Sequence, residues 1–305
     1  MTNIKVALEY FHPWPNSAGF YYAQVQKIFA QYGFTVEFIV ADPLQGDALH
    51  YLNQQAVDFA IFPTNRLFVR RQQGEKLLGI AAINHVGLES VQTLRSLGIQ
   101  RPKDLEHRRL ALNPTPRGLA MVQHLIEQDS GDFSLVQLVD AGAREYTPSD
   151  LQAGLADASF GGYWAWEALM ESEVSFEDRL VFPVSEWGAP RYHSYLLGIH
   201  EDNLRLNSDQ IQQFIHALRL GYEQLKDDPI HTAPIYERVI PYFPKQLIEK
   251  SLKTVAPTWF DDAGLWGIQD HLKHQEYAAW LHQYGILDCP EIWKEATTNR
   301  FVHKE

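Results

Sequence analysis

A chain of 305 residues, 45% hydrophobic and 21% charged, has an ordinary globular composition with room for two compact domains or one large one. Its formal net charge of -12 argues against a nucleic-acid or anionic-membrane partner. No run approaches the roughly 20 apolar residues of a membrane span, and the single cysteine, Cys289, excludes an internal disulfide.

The start MTNIKVALEY lacks a basic segment followed by an apolar stretch. A cytoplasmic location is therefore expected if Met1 is the native start, and an extracytoplasmic one if a signal has been removed. In chain order, β-rich runs at residues 4–10, 35–40 and 57–62 alternate with helical patterns at 18–32 and 47–54. That alternation predicts βαβ units and a mostly parallel sheet. A run at 77–83 leads into a second series, with strands at 109–112, 135–139, 157–160 and 180–184 and a helix at 117–128. A strand at 195–199 precedes helical periodicity at 208–226, 244–255 and 268–284.

The expected fold class is α/β, with two lobes and mixed sheets. Residues 1–87 plus 190–305 would form the first lobe and residues 88–189 the second, with crossings near 84–90 and 185–192. Loops at the carboxyl ends of the strands are then expected to face one ligand cleft that closes by hinge motion.

The stretch GGYWAWE at 161–167 concentrates recognition chemistry. Its glycines permit a turn or a close approach. Tyr163, Trp164 and Trp166 offer flat apolar faces, and Glu167 offers paired acceptors to an amidine-like or protonated ring. A strand-to-helix junction with core aromatics and a helix-capping Glu167 reads equally well from composition.

Thr64 and Asn65 follow a predicted strand, where Asn65 could both donate to and accept from a ligand edge or simply occupy a turn. Asn113 and Thr115 precede the helix at 117–128, as contacts to a polar substituent or as a helix cap. Tyr192 lies just past Pro190 on the return crossing, with Tyr195 a weaker candidate. His271 and His274, at i,i+3 spacing, could join two metal ligands, but no third ligand is adjacent in sequence, and no metal or cofactor is expected. No Gly-rich phosphate loop, GxSxG or HExxH motif occurs.

GGYWAWE, together with WGAPRYHSYLLGI at 187–199 and LWGIQDHLKHQEYAAWLHQYGIL near the end, resembles the thiamine-pyrimidine-binding branch of the type II periplasmic binding proteins. That branch is also similar to the yeast-type hydroxymethylpyrimidine synthases. The resemblance spans nearly the whole chain. Within LEYFHPWPNSAGFYYA at 8–23, Glu9, Tyr10, Asn16 and Tyr21 fit the family's opening pattern. Ser17 falls where a histidine is often found, and His12 or Trp14 could take over that contact.

The resemblance implies capture of a small aminopyrimidine for an importer with a membrane permease, Tyr10, Tyr163 or Trp164 stacking on the ring and Glu167 reading its nitrogen and amine. It implies that Tyr192 touches ligand or lines the hinge. The synthases carry a lysine and a histidine after the third strand. In VDFAIFPTNRLF at 57–68 those positions read Phe62 and Arg66, so their chemistry is not expected. Another flat ring, such as riboflavin, or a cytoplasmic enzyme or sensor, is the alternative.

Overall fold

Two five-stranded mixed sheets organise the chain, as a computed structural model describing residues 1–9, 14–42, 44–142, 145–162, 174–203 and 205–302 reveals. The strands in chain order are β1 (Thr2–Ala7), β2 (Phe34–Ile39), β3 (Phe59–Pro63), β4 (Leu77–Asn84), β5 (Glu89–Leu94), β6 (Arg109–Leu112), β7 (Gln137–Asp140), β8 (Ala158–Gly162), β9 (Arg179–Pro183) and β10 (Tyr195–His200). The chain divides into one unit comprising Met1–Val86 and Tyr192–Glu305, and a second comprising Gly87–Arg191.

In the first unit the sheet order is β2-β1-β3-β10-β4, with β1 parallel to β2 and β3. Strand β10 enters antiparallel between β3 and β4, so the sheet departs from the mostly parallel arrangement that alternation suggests. The second sheet repeats the plan as β7-β6-β8-β5-β9, with β5 antiparallel to β8 and β9. In each unit the antiparallel strand is the first one after the chain enters or re-enters it. That strand lies second from one edge of its sheet, a placement that alternation alone does not encode.

The helices of the first unit are α1 (Ala18–Val25), α2 (Ile28–Gln31), α3 (Ala48–Asn53) and α4 (Thr64–Gln72). Those of the second, among the described residues, are α5 (Pro116–Gln128) and α6 (Pro148–Gln152). After the return come α7 (Ser208–Glu223), α8 (Ala233–Val239), α9 (Lys245–Val255), α10 (His271–Gln283) and α11 (Trp293–Ala296). The expected helix at 18–32 is broken at Lys27, whose φ of 59° is left-handed and cannot continue a right-handed helix. Strand β5 and helix α4 interrupt stretches that the periodicity leaves unassigned.

Packing follows from the apolar faces. Phe214 of α7 stacks on Phe29 and on Phe59 of β3, at ring-centroid distances of 5.2 and 4.3 Å. The second unit has its own cluster of Leu94, Ala111, Leu151, Ala156 and Val174. Caps fix the helix starts: Asp47 accepts from the His50 N–H at the start of α3, while Thr147 and Asn207 head reciprocal capping boxes on α6 and α7.

Candidate functional site

Strand β1 delivers its chain to Glu9, which sits just beyond the strand's carboxyl end and is only 7% exposed. Neither carboxylate oxygen receives a hydrogen bond of good geometry among the described residues. Burial pushes its pKa up to about 7, while its own backbone N–H and the Asn16 side chain pull weakly the other way. An unpaired buried carboxylate costs several kcal/mol or takes up a proton.

The turn that carries Asn16 is held by hydroxyl groups from distant helices. Residues Pro15–Ser17 form a single 3-10 turn leading into α1, with proline at its first position, where no N–H is needed. Tyr222 of α7 donates its hydroxyl proton to the Asn16 carbonyl. The Ser17 and Tyr236 hydroxyls lie 2.8 Å apart and each within 2.7 Å of the Trp14 carbonyl, so two protons serve three contacts. The tyrosines therefore hold the turn. Burial, and for all three the charge on Glu9, drives the Tyr21, Tyr222 and Tyr236 hydroxyls further from ionising.

Aromatic rings complete this region. Tyr21 lies 4.7 Å from Phe38 and 5.6 Å from Tyr236 between ring centroids, and Trp14 lies 5.4 Å from Phe243. Trp14, Asn16 and Ser17 share this hydrogen-bonded turn of the first unit, and the Asn16 side chain faces Glu9. Tyr222 and Tyr236 join them from more than 200 residues away, and no local signal in the sequence announces them.

In the second unit, the glycines of GGYWAWE are strand residues rather than a turn: Gly161 pairs with Ser90 and Gly162 with Glu89. Glu145 accounts for the first glycine, because a Cβ at position 161 would come within 2.8 Å of its Cδ. Its Oε1 accepts from the Gly162 N–H at 2.9 Å. Surrounding protein and the Glu89 charge raise the Glu145 pKa, but the residue is open to solvent, which limits the shift. Glu89 also pairs with Arg117 on the first turn of α5. Tyr10, His12, Tyr163, Trp164, Trp166 and Glu167 lie outside the described residues.

Thr115 caps α5, accepting from the Gly118 N–H at 3.1 Å, and Asn113 is exposed. Thr64 and Asn65 open α4 rather than a loop. Thr64 donates to the His193 carbonyl at 2.5 Å, while Asn65 is half-buried. Tyr192 is buried and stacks on Tyr277 at 4.3 Å. Phe62 is buried where Gly198 leaves room for its ring, and Arg66 pairs with Asp47 at 3.2 Å.

His274 is buried with Nε2 3.1 Å from Gln269 Oε1, whereas His271 is exposed against Trp293. The i,i+3 pair does not converge, and no cluster of three or more metal-ligating side chains forms among the described residues. No helix among them is long and apolar enough to cross a membrane.

The formylaminopyrimidine-binding protein of Halalkalibacterium halodurans is 22% identical over 307 aligned residues, which cover 97% of this chain and 89% of that protein. The periplasmic aliphatic sulphonate binding protein SsuA from Escherichia coli superposes with a TM-score of 0.73 at 13% identity, covering 97% of this chain and 92% of that one. The desulfurization enzyme DSZB gives 0.66 at 12%, covering 99% and 98%. These structures share the fold, that of the periplasmic binding proteins, across both binders and an enzyme. The model of the NMT1/THI5-like family matches residues 14–232, most of the chain, and the protein belongs to that family.

Proposed function

We propose that this is a solute-binding protein that captures a small aminopyrimidine related to thiamine outside the cytoplasm and hands it to the membrane permease of an ABC-type importer. The observation that carries this reading is Glu9: a buried carboxyl group with both oxygens free of hydrogen bonds among the described residues, in an aromatic surround. Such a group suits a flat ligand with polar atoms along one edge. The relative that binds formylaminopyrimidine supports the same ligand class.

In this reading Tyr163, Trp164 or Tyr10 stacks on the ring, and Glu167 provides a second carboxylate. Asn65 and Asn113 orient substituents. Capture and delivery proceed without bond making. Two positions favour binding over synthesis: Phe62 packs over Gly198, and Arg66 is engaged with Asp47.

Calorimetric titration of ligand-stripped protein against formylaminopyrimidine, hydroxymethyl-aminopyrimidine, thiamine, riboflavin and a purine tests the proposal. Micromolar or tighter binding of an aminopyrimidine, about -8 kcal/mol or better, is expected. Binding of riboflavin or the purine in its place would overturn the ligand class.

A further inference from the structure

The chemistry around Glu9 constrains the form in which it meets a ligand. Among the described residues, no lysine, arginine or histidine contributes to its charge balance. The described titratable groups that couple to it are Tyr21 on α1, Tyr222 on α7 and Tyr236 on α8, all neutral below the alkaline range. The hydroxyls of Tyr222 and Tyr236 are engaged by carbonyls of the turn before α1. A carboxylate anion is thus poorly compensated at this position.

A protonated carboxyl presents one O–H donor beside one C=O acceptor, whereas a carboxylate presents acceptors only. The edge of a neutral aminopyrimidine carries an amine donor beside a ring-nitrogen acceptor. The acid matches that edge with two parallel hydrogen bonds, while the anion would set an oxygen lone pair against the ring nitrogen. Low dielectric around the pair favours the matched, neutral arrangement.

We propose that Glu9 reads the amine and ring-nitrogen edge of the ligand as a carboxylic acid, so that the complex holds one proton in that contact. This inference rests on the aminopyrimidine reading above. The proton count is the same whether the proton stays on oxygen or moves to the ring nitrogen. Above the pH at which ligand-free Glu9 ionises, binding takes up one proton, and affinity falls about tenfold per pH unit. Glutamine carries the same acceptor and donor side by side, so Glu9→Gln keeps the recognition and removes the proton linkage.

The test is calorimetry of the full chain with formylaminopyrimidine and hydroxymethyl-aminopyrimidine. It is run between about pH 6 and about pH 9 in two buffers of different ionisation heat, which count protons. The expected result is uptake approaching one proton on the alkaline side, with the tenfold slope. Glu9→Gln should bind within about fivefold of the unmodified protein at neutral pH, with a flat profile, and Glu9→Ala should bind at least about a hundredfold more weakly.

Aminopyrimidine binding without proton exchange in the unmodified protein overturns the proposal and leaves the import reading standing; so does undiminished proton uptake in Glu9→Gln. Because the proton count is taken on the unmodified chain, a variant that fails to fold does not block the test. Absence of binding by either aminopyrimidine overturns both readings.

Discussion

At the scale of single residues, the turn before α1 depends on hydroxyl groups that arrive from distant helices. Tyr236→Phe removes a buried donor to the Trp14 carbonyl and the partner of Ser17, leaving the Ser17 hydroxyl alone to serve that carbonyl. A loss of about 1 kcal/mol in unfolding free energy is expected, read from urea unfolding followed by tryptophan fluorescence. An unchanged midpoint would mean that Ser17 alone satisfies the turn. The sequence showed half of this arrangement. Glu9, Asn16 and Ser17 lie in one short motif whose resemblance can be read directly. Tyr222 and Tyr236 lie on helices whose periodicity marks them as core, and nothing in a core pattern says which hydroxyl reaches which carbonyl. Glu145 was equally hidden, since it shows itself only through the space that Gly161 leaves for it.

At the scale of elements, β10 is the strand on which the first sheet turns, lying between β3 and β4. A Cβ at Gly198 would drive into the Phe62 ring on one side and come within 2.6 Å of the Leu78 carbonyl oxygen. Backbone in the middle of a sheet cannot yield as a flexible side chain can. Gly198→Ala is therefore expected to destabilise the protein by about 1–3 kcal/mol, measured as a lower urea midpoint with unchanged slope. An alanine variant as stable as the parent would show that Phe62 can move aside.

The strands with strong β-branched or apolar runs, β1 to β4, could be read from the sequence to within a few residues. Strand β5 could not, because ESVQTL carries three polar side chains, Ser90, Gln92 and Thr93, that are nonetheless buried. Their burial is supported by hydrogen bonds: the Gln92 amide donates to Ser90 Oγ at 2.7 Å, and Thr93 Oγ1 donates to the Asp157 carbonyl at 2.7 Å. A pattern of polar and apolar letters cannot reveal such compensation.

At the scale of the whole molecule, the alternation of strands and helices conveyed the α/β class, while the antiparallel strand second from the edge of each sheet required the structure. Three of the buried histidines of the first unit, His85, His193 and His274, form a cluster with successive ring centroids 5.0 Å apart. Hydrogen bonds hold one of them neutral and fix which nitrogen of another donates. His193 Nε2 accepts from the Asp270 N–H at 2.8 Å. Gln269 spends its amide protons on the Gly79 and Thr298 carbonyls, so its Oε1 accepts from His274 Nε2. Burial lowers the pKa of His85 to about 4 and that of His274 to about 3, and holds His193 well below the ordinary 6.5.

The consequence for stability has a definite sign. Above about pH 6.5 these rings are neutral in both folded and unfolded chains, and their contribution is constant. As pH falls below that value the unfolded chain takes up protons that the native protein refuses, and each histidine withdraws up to about 1.4 kcal/mol per pH unit until its folded pKa is reached. Glu9 acts in the opposite sense: its folded pKa of about 7 exceeds the ordinary 4.5, so its contribution is full below 4.5 and lost as pH rises through 7. Asp58, also raised by burial, adds to that side. Glu145 is raised in the same way, whereas His216 is lowered and sides with the cluster; the histidines outnumber the raised carboxyls between about pH 6 and about pH 5, so stability falls with pH over that interval. Denaturant unfolding monitored by the buried Trp259 and Trp266 should show that decline. Stability that stayed level or rose over the same interval would mean that the histidine cluster takes up protons within the folded protein.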